Sequence, residues 1–282
     1  MKRENKVYIV GTLDSIPADK LRTGVKDGNN WIGGSAIVKN SFGDLEVKFY
    51  SMEKTKDGKT NPRYANYQAL EKLVGERIKV SGELSGRVFF NDKQGQLIQF
   101  NEINAAFFNL AKASDTDTAT FEYLGFVNKP LHERLNKEDK VVGYEIEVAQ
   151  ANYNGDNMQI FKFNVAMDDS RIRSQIQEHY TKGATVFVSG EINFETTLET
   201  KEVEVDFGNP VEKTFENVRK LFLIKGGKRP IVEDGQFYTE EEISNLTSSY
   251  QNYILEVEKA AKNKSTAVKS EPVKTSNIDR LV

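Results

Sequence analysis

The chain of 282 residues carries a net charge of −3, with 29% charged and 38% hydrophobic side chains and no cysteine. These totals rule out disulfides, thiolate nucleophiles and sulfur-ligated zinc, and they leave room for two domains of ordinary size plus extras. No apolar run is long enough to span a bilayer, and residues 1–4 lead into no signal-peptide core; a cytoplasmic protein without cofactor or membrane association is expected.

Residues 6–13 alternate as a strand around Gly11, and a polar loop punctuated by glycine fills 14–30. Strands follow at 31–40 and 45–50, separated by Ser41-Phe42-Gly43-Asp44, whose residue types favour a turn. In the second of these, Leu45, Val47 and Phe49 share one face and Glu46, Lys48 and Tyr50 the other. A lysine-rich loop at 53–60, expected to be mobile, precedes a helix that Asn61 caps and Pro62 opens, with Tyr67, Leu70 and Val74 at helical spacing. The segment 75–84, GERIKVSGEL, is the fourth strand. The fifth is long and interrupted: 86–90, a turn at 91–95, then 96–108. Small polar residues from 109 onwards read as a linker, placed at 113–118.

The fourth strand returns at 183–192 as GATVFVSGEI. In each copy a glycine suited to a helix C-terminus, Gly75 or Gly183, precedes a strand whose buried face is Ile78 and Val80 or Val186 and Val188. Each copy closes on Val-Ser-Gly-Glu, with Gly82 or Gly190 placed for a bend or bulge. The remaining order repeats too. Residues 121–128 match the first strand, with Gly125 where Gly11 stands, and 141–149 form the next, before a hairpin turn at Asn154-Gly155-Asp156. In the strand at 160–165, Phe161-Lys162-Phe163 aligns with Val47-Lys48-Phe49 at an offset of 114. Ser170 is placed to cap a helix bearing Ile172, Ile176 and Tyr180, and strands at 185–193, 199–207 and 216–224 complete the copy.

Beyond Lys225-Gly226-Gly227-Lys228-Arg229-Pro230 the pattern changes. Thr239-Glu240-Glu241-Glu242 is a capping box, and Ile243, Leu246, Tyr250, Tyr253, Ile254 and Val257 mark an apolar stripe on a long helix. The stripe must lie on something, either the second barrel, another copy or a partner. The composition after residue 262 predicts a disordered tail.

Five strands with one helix between the third and fourth is the element order of the OB-fold barrel. The expected fold is all-β with a few helices: two tandem OB-fold barrels at 1–112 and 119–232, a C-terminal helix at 233–262 and a disordered tail at 263–282. The two histidines, His132 and His179, are too isolated for a metal site or triad, no phosphate loop or nucleophile elbow is present, and the carboxylates form no dyad. A non-enzymatic protein is expected.

An OB barrel leaves the outer face of its second and third strands open to an extended nucleic acid, which needs cations for phosphates and flat rings for unpaired bases. The first copy offers Trp31, Lys48, Tyr50, Lys54, Lys56, Lys59, Arg87, Phe89 and Lys93. The second offers Tyr144, Lys162, Asn164, Arg171 and Arg173, with fewer aromatics. Charge is uneven as well. Residues 1–112 hold 18 Lys and Arg against 13 Asp and Glu, whereas 113–230 hold 15 against 20, so the first copy is the better partner for a polyanion.

In this architecture the chain resembles phage-type or mobile-element-type single-stranded DNA-binding proteins with tandem OB-folds. The resemblance implies sequence-tolerant binding of single-stranded DNA in replication or recombination, and recruitment of such proteins through the C-terminal region. The last residues, Ile278 to Val282, lack the acidic run and terminal Pro-Phe of bacterial members. A protein-protein adaptor and an RNA-binding OB protein are the alternatives, since nothing in the sequence separates ribose from deoxyribose. Oligomeric state is left open.

Overall fold

The computed structural model describes residues 4–91, 95–136, 138–203, 211–233 and 235–269. The first barrel comprises β1 (Asn5–Ser15), β2 (Arg22–Lys26), β3 (Asn29–Asn40), β4 (Gly43–Met52), α1 (Pro62–Gln68), β5 (Arg77–Asn91) and β6 (Gln96–Leu110). The second comprises β7 (Thr118–Leu135), β8 (Val141–Ala151), β9 (Met158–Val165), α2 (Ser170–His179), β10 (Thr185–Val203) and β11 (Val211–Lys228), and α3 (Glu240–Lys269) follows. Both close by OB topology. β1 pairs antiparallel with β3 and β5, and β4 meets β6 in parallel at Lys48 and Asn104. Likewise β7 pairs with β8 and β10, and β9 meets β11 in parallel at Asn164 and Leu223.

The repeated Val-Ser-Gly-Glu marks the corner of each barrel. The ladder slips between Ser81 and Gly82 against β6, and between Ser189 and Gly190 against β11. At these bulges the partner backbone passes so close that a Cβ on Gly82 would lie 2.2 Å from the Asn104 carbonyl oxygen. On Gly190 it would lie 1.9 Å from that of Leu223. No other residue type fits without moving a strand. The period-two faces are buried as the alternation requires: Ile78, Val80, Val186 and Val188, with Leu45, Val47, Phe49, Phe161, Phe163 and Val165.

The two barrels share a sheet because β1 pairs antiparallel with β7, from Asn5 opposite Tyr123 to Val10 opposite Thr118. At its centre Val7 faces Phe121, and these residues are equivalent by the same 114-residue offset that relates Gly11 to Gly125. An antiparallel pair centred on equivalent residues carries a local two-fold axis, so the halves are arranged like the subunits of an isologous dimer. The two interiors merge into one apolar cluster.

Several elements differ from the sequence expectation. The presumed loop at 14–30 contains β2, joined to β3 by Asp27 and Gly28, both at positive φ (52° and 73°); this is the Asp-Gly hairpin signal. The fourth strand and the 86–90 segment are one continuous β5, bent at its bulge. Likewise the expected strands at 185–193 and 199–207 run together as β10 as far as Val203, with 204–207 outside the described residues, and the last strand is β11. Ser170 is the first helical residue of α2, while Asp169 caps it by accepting from the Ile172 N–H at 3.0 Å. The 113–118 segment is pinned, with Arg77 to Asp117 at 2.6 Å and Lys79 to Asp115 at 2.7 Å. The lysine-rich 53–60 loop is closed by Thr55 N–H donating to the Lys59 carbonyl (2.8 Å) and by Asn29 bonding both backbone groups of Lys54.

Helix α3 lies on the outside of the second barrel. Leu246 is buried with Tyr238 against Leu124, Phe126, Ala149, Ala151, Met158 and Ile160, and Ile243 and Tyr250 pack at the margin. Docking on the second barrel, rather than self-association, therefore accounts for the first half of the predicted stripe. Tyr253 and Leu255 are exposed. The helix continues to Lys269, past the limit of 262, because no glycine or proline interrupts it before Pro272. The rest of the predicted tail, 270–282, lies outside the described residues.

Stability measurements test both features. Gly82→Ala and Gly190→Ala are each expected to cost about 1–3 kcal/mol in chemical denaturation, the range for overpacking. Leu246→Ala is expected to cost about 2–5 kcal/mol by emptying the α3 seam. Leu255→Ala, on the same helix, should leave the midpoint within experimental error. Equal effects of the two leucines would contradict the docking described.

Candidate nucleic-acid interface

On the outer face of β2, β3 and β4 the pairing register sets Gly24 opposite Trp31, Trp31 opposite Met52, and Gly33 opposite Tyr50. The two glycines form a floor for the rings. A Cβ on Gly24 would lie 2.8 Å from Trp31 Nε1, and one on Gly33 would lie 3.0 Å from Tyr50 Cδ2. Trp31 is half-buried and Tyr50 is 55% exposed, with ring centroids 5.7 Å apart and planes inclined by 33°. Tyr50 also donates its hydroxyl to Met52 Sδ at 3.1 Å, which fixes the ring across the strand end. The result is an open aromatic shelf held from below.

Around the shelf stand cations with no ion pair among the described residues. Lys54, Lys56 and Lys59 are exposed on the ordered 53–60 loop, Arg22 and Lys26 are exposed on β2, and Arg63 opens α1. Sequence reasoning missed Arg22, Lys26 and Arg63. The Asp-Gly turn would have revealed the first two, since it makes residues 22, 24 and 26 one face of a hairpin strand. A cleft of about 580 Å³ continues from Tyr50 past Arg63 and Arg87 to Tyr153 and Gln159 of the second barrel. Tyr153, also missed, is exposed in the β8–β9 turn.

Other predicted residues are committed elsewhere. Lys48 is ion-paired with Glu102, a carboxylate only 8% exposed, and lies 5.6 Å from the Phe100 ring centroid. Arg87 is 4.0 Å from the same carboxylate but stays exposed. Phe89 is 40% exposed and edge-on to Phe100 at 5.4 Å. Lys93 lies outside the described residues.

This β5–β6 arm does not reach into solvent at its base. Gln99 and Asn101 donate to the Ile160 and Lys162 carbonyls, both at 2.8 Å, so the arm rests on the edge of β9. Reciprocally, the β10–β11 arm touches the first barrel, its Phe194 ring against Gly43.

The equivalent face of the second barrel is closed. Asn164 stands where Tyr50 stands, opposite Glu145 rather than glycine; it is buried and accepts from the Phe222 N–H at 3.3 Å. Buried Glu145 draws in Lys162 at 3.3 Å and Arg219 at 3.2 Å. Tyr144 is partly buried against the core, under the Arg173 guanidinium at 4.8 Å from its ring centroid. Of the residues expected here, Arg171 alone points an exposed cation away from this cluster, into a separate cleft beside α2. The difference between the halves is therefore larger than net charge suggests.

The arms also bury charge between the barrels. Lys220 of β11 is half-buried near Glu46, Glu102 and Lys48, and loss of solvent pushes its ammonium below the usual lysine range against the pull of the two glutamates. Tyr67 and Tyr180 are pushed up to about 12 by burial; their hydroxyls donate to backbone carbonyls and hold the helices to the barrels.

A family model described as YorF matches residues 3–260. No curated protein matches the sequence. Among solved structures, the chain is similar to the wild-type single-stranded DNA binding protein from Thermus aquaticus, with 12% identity and a TM-score of 0.50 over 84% of this chain and 98% of that one. A deletion mutant of the Thermus aquaticus protein gives 14% identity and a TM-score of 0.48, covering 85% and 100%. At such identity the likeness concerns the fold.

Lys220→Met tests the buried charge. Below its lowered folded pKa the wild-type lysine is charged in both states and bears the cost of burial. As pH rises from there towards the unfolded value, the folded state releases its proton first and wild type gains stability. Thermal melts are expected to show the variant at least as stable as wild type near pH 7, with that gain missing at alkaline pH. A variant clearly less stable at pH 7 would show that the attraction of Glu46 and Glu102 outweighs desolvation.

Proposed function

The chain belongs to the YorF family, and from the open aromatic shelf it carries on an OB barrel we propose that it binds single-stranded DNA without sequence preference. The Trp31–Tyr50 shelf over Gly24 and Gly33 carries this reading. Unpaired bases present π-faces whatever their identity, and two rings held open by a glycine floor suit stacking rather than edge recognition. The unpaired cations of the 53–60 loop and β2 supply phosphate contacts beside them. The described fold is shared with a protein whose name states that it binds single-stranded DNA, which supports the same reading.

Binding starts on the first barrel. Bases stack on Trp31 and Tyr50 while the backbone follows Lys54, Lys56, Lys59 and Arg22, and the strand continues through the cleft past Arg63 and Arg87 to Tyr153. Lys48 keeps Glu102 neutralised and positions the Phe100–Phe89 pair. Phe89 belongs to the arm along that path. The role is protection of single strands in cytoplasmic DNA replication or recombination, in a phage or mobile-element setting. Tyr253 and Leu255, exposed on α3, and the chain after the helix are the region for recruiting replication or recombination proteins. The chemistry is binding, not catalysis.

Trp31→Ala and Tyr50→Ala are each expected to weaken binding of an oligo(dT) by about 1–3 kcal/mol, with unchanged melting temperature. Fluorescence anisotropy against matched single-stranded DNA, duplex DNA and single-stranded RNA measures it. Wild-type protein that fails to bind the single-stranded DNA, or binds the duplex as tightly, sinks the proposal. A loss of melting temperature with intact binding would return the ring concerned to a packing role.

A further inference from the structure

The second barrel carries a basic cleft that the aromatic shelf does not use. It lies between α2 and the end of β11, has a volume of about 570 Å³, and is lined by Arg171, His179, Lys225, Lys228 and Arg229 around Gly226 and Gly227. Arg171, Lys225, Lys228 and Arg229 are exposed and form no ion pair among the described residues. The one carboxylate in the lining, Asp169, is engaged in capping α2. Lys228 lies 5.0 Å from the Phe187 ring centroid, which fixes it at the rim. Glu178 stands 3.9 Å from His179 but does not line the cleft.

Four unpaired cations are gathered in a half of the chain whose acids outnumber its bases. Like charges repel, so such a cluster costs folding energy unless an anion joins it. The only ring in the lining besides the histidine is Tyr180, which is buried and spends its hydroxyl on the Lys228 and Phe187 carbonyls. The cleft therefore offers charge without a stacking surface. The geometry points to a second nucleic-acid contact that grips the sugar-phosphate backbone alone: long single strands that leave the shelf dock their phosphates between Arg171 and the Lys225–Arg229 segment. This rests on the reading of the shelf as a single-stranded DNA site. The second barrel thus contributes through the helix side of its barrel rather than through the face that Glu145 and α3 close.

The test uses full-length protein, short and long oligo(dT), and a potassium chloride series. The triple variant Lys225→Gln, Lys228→Gln, Arg229→Gln should bind short oligonucleotides as wild type does. On long ones it should lose affinity, and its log–log salt slope should shrink by up to roughly 2, at about 0.7 for each phosphate no longer neutralised. Arg171→Gln, across the cleft, should shift both in the same direction by less, which guards against a folding defect in the triple variant. Lys72→Gln, Lys129→Gln, Lys140→Gln together remove the same charge elsewhere and should change neither. Wild-type affinity and slope in the cleft variants at every length overturn the inference while leaving the shelf intact, and so does an equal loss in the control variant. Failure of wild type to bind any single-stranded DNA is the separate failure of the shelf reading.

Discussion

Two strands hold this molecule together by dividing their edges. β1 gives one edge to β5 and splits the other: its first half pairs with β7, its last residues with β3. β7 does the same with β10, β1 and β8. The hand-over occurs at Gly11 and Gly125, where an added Cβ would lie 2.5 Å and 2.2 Å from the carbonyls of Lys39 and Ala149. Asn40 closes the fork, its side-chain amide donating to both the Val10 and Thr118 carbonyls. Edge strands that would otherwise invite aggregation are consumed in joining the halves. From this junction follow the merged core, the crossing of each arm onto the other barrel, and the burial of Glu102, Glu145 and Lys220 between them.

That interlocking has a functional side. An arm that rests on its neighbour cannot also swing freely around a ligand, and a lysine paired with a buried glutamate is a poor phosphate contact. What remains available is the end of the first barrel's face beyond the arms, where the chain places Trp31, Tyr50 and their rim of cations. The aromatic shelf and the charge balance therefore both set the first barrel apart from the second, although the two halves share one plan.

Much of this was legible in the sequence where the signal is local. The repeated Val-Ser-Gly-Glu located both corners, Asn61-Pro62 located the start of α1, and the alternation around Lys48 and Lys162 identified inner faces correctly. Tyr50 was placed on the outer face by the same alternation, and it is there. Failures came from two sources. Some were turn chemistry passed over, as with Asp27-Gly28 and β2. Others depended on contacts between residues far apart in the chain. Nothing near Lys48 announces Glu102, nothing near Lys162 announces Arg219, and Asn164 is buried only because β11 runs past it. Periodicity assigns a side chain to a face; it does not say what covers the face.

The axis through Val7 and Phe121 carries one more implication. A two-fold operation reverses direction along any line that crosses it at a right angle, and a nucleic-acid strand has a direction. A strand running straight across both halves would meet one barrel 5′ to 3′ and its twin 3′ to 5′. Identical base-stacking faces on the two barrels could then be satisfied together only by a ligand that doubles back. With the halves in this relation, the proposed single shelf asks for no such reversal, and a cluster of bare cations, indifferent to direction, is compatible with the other half.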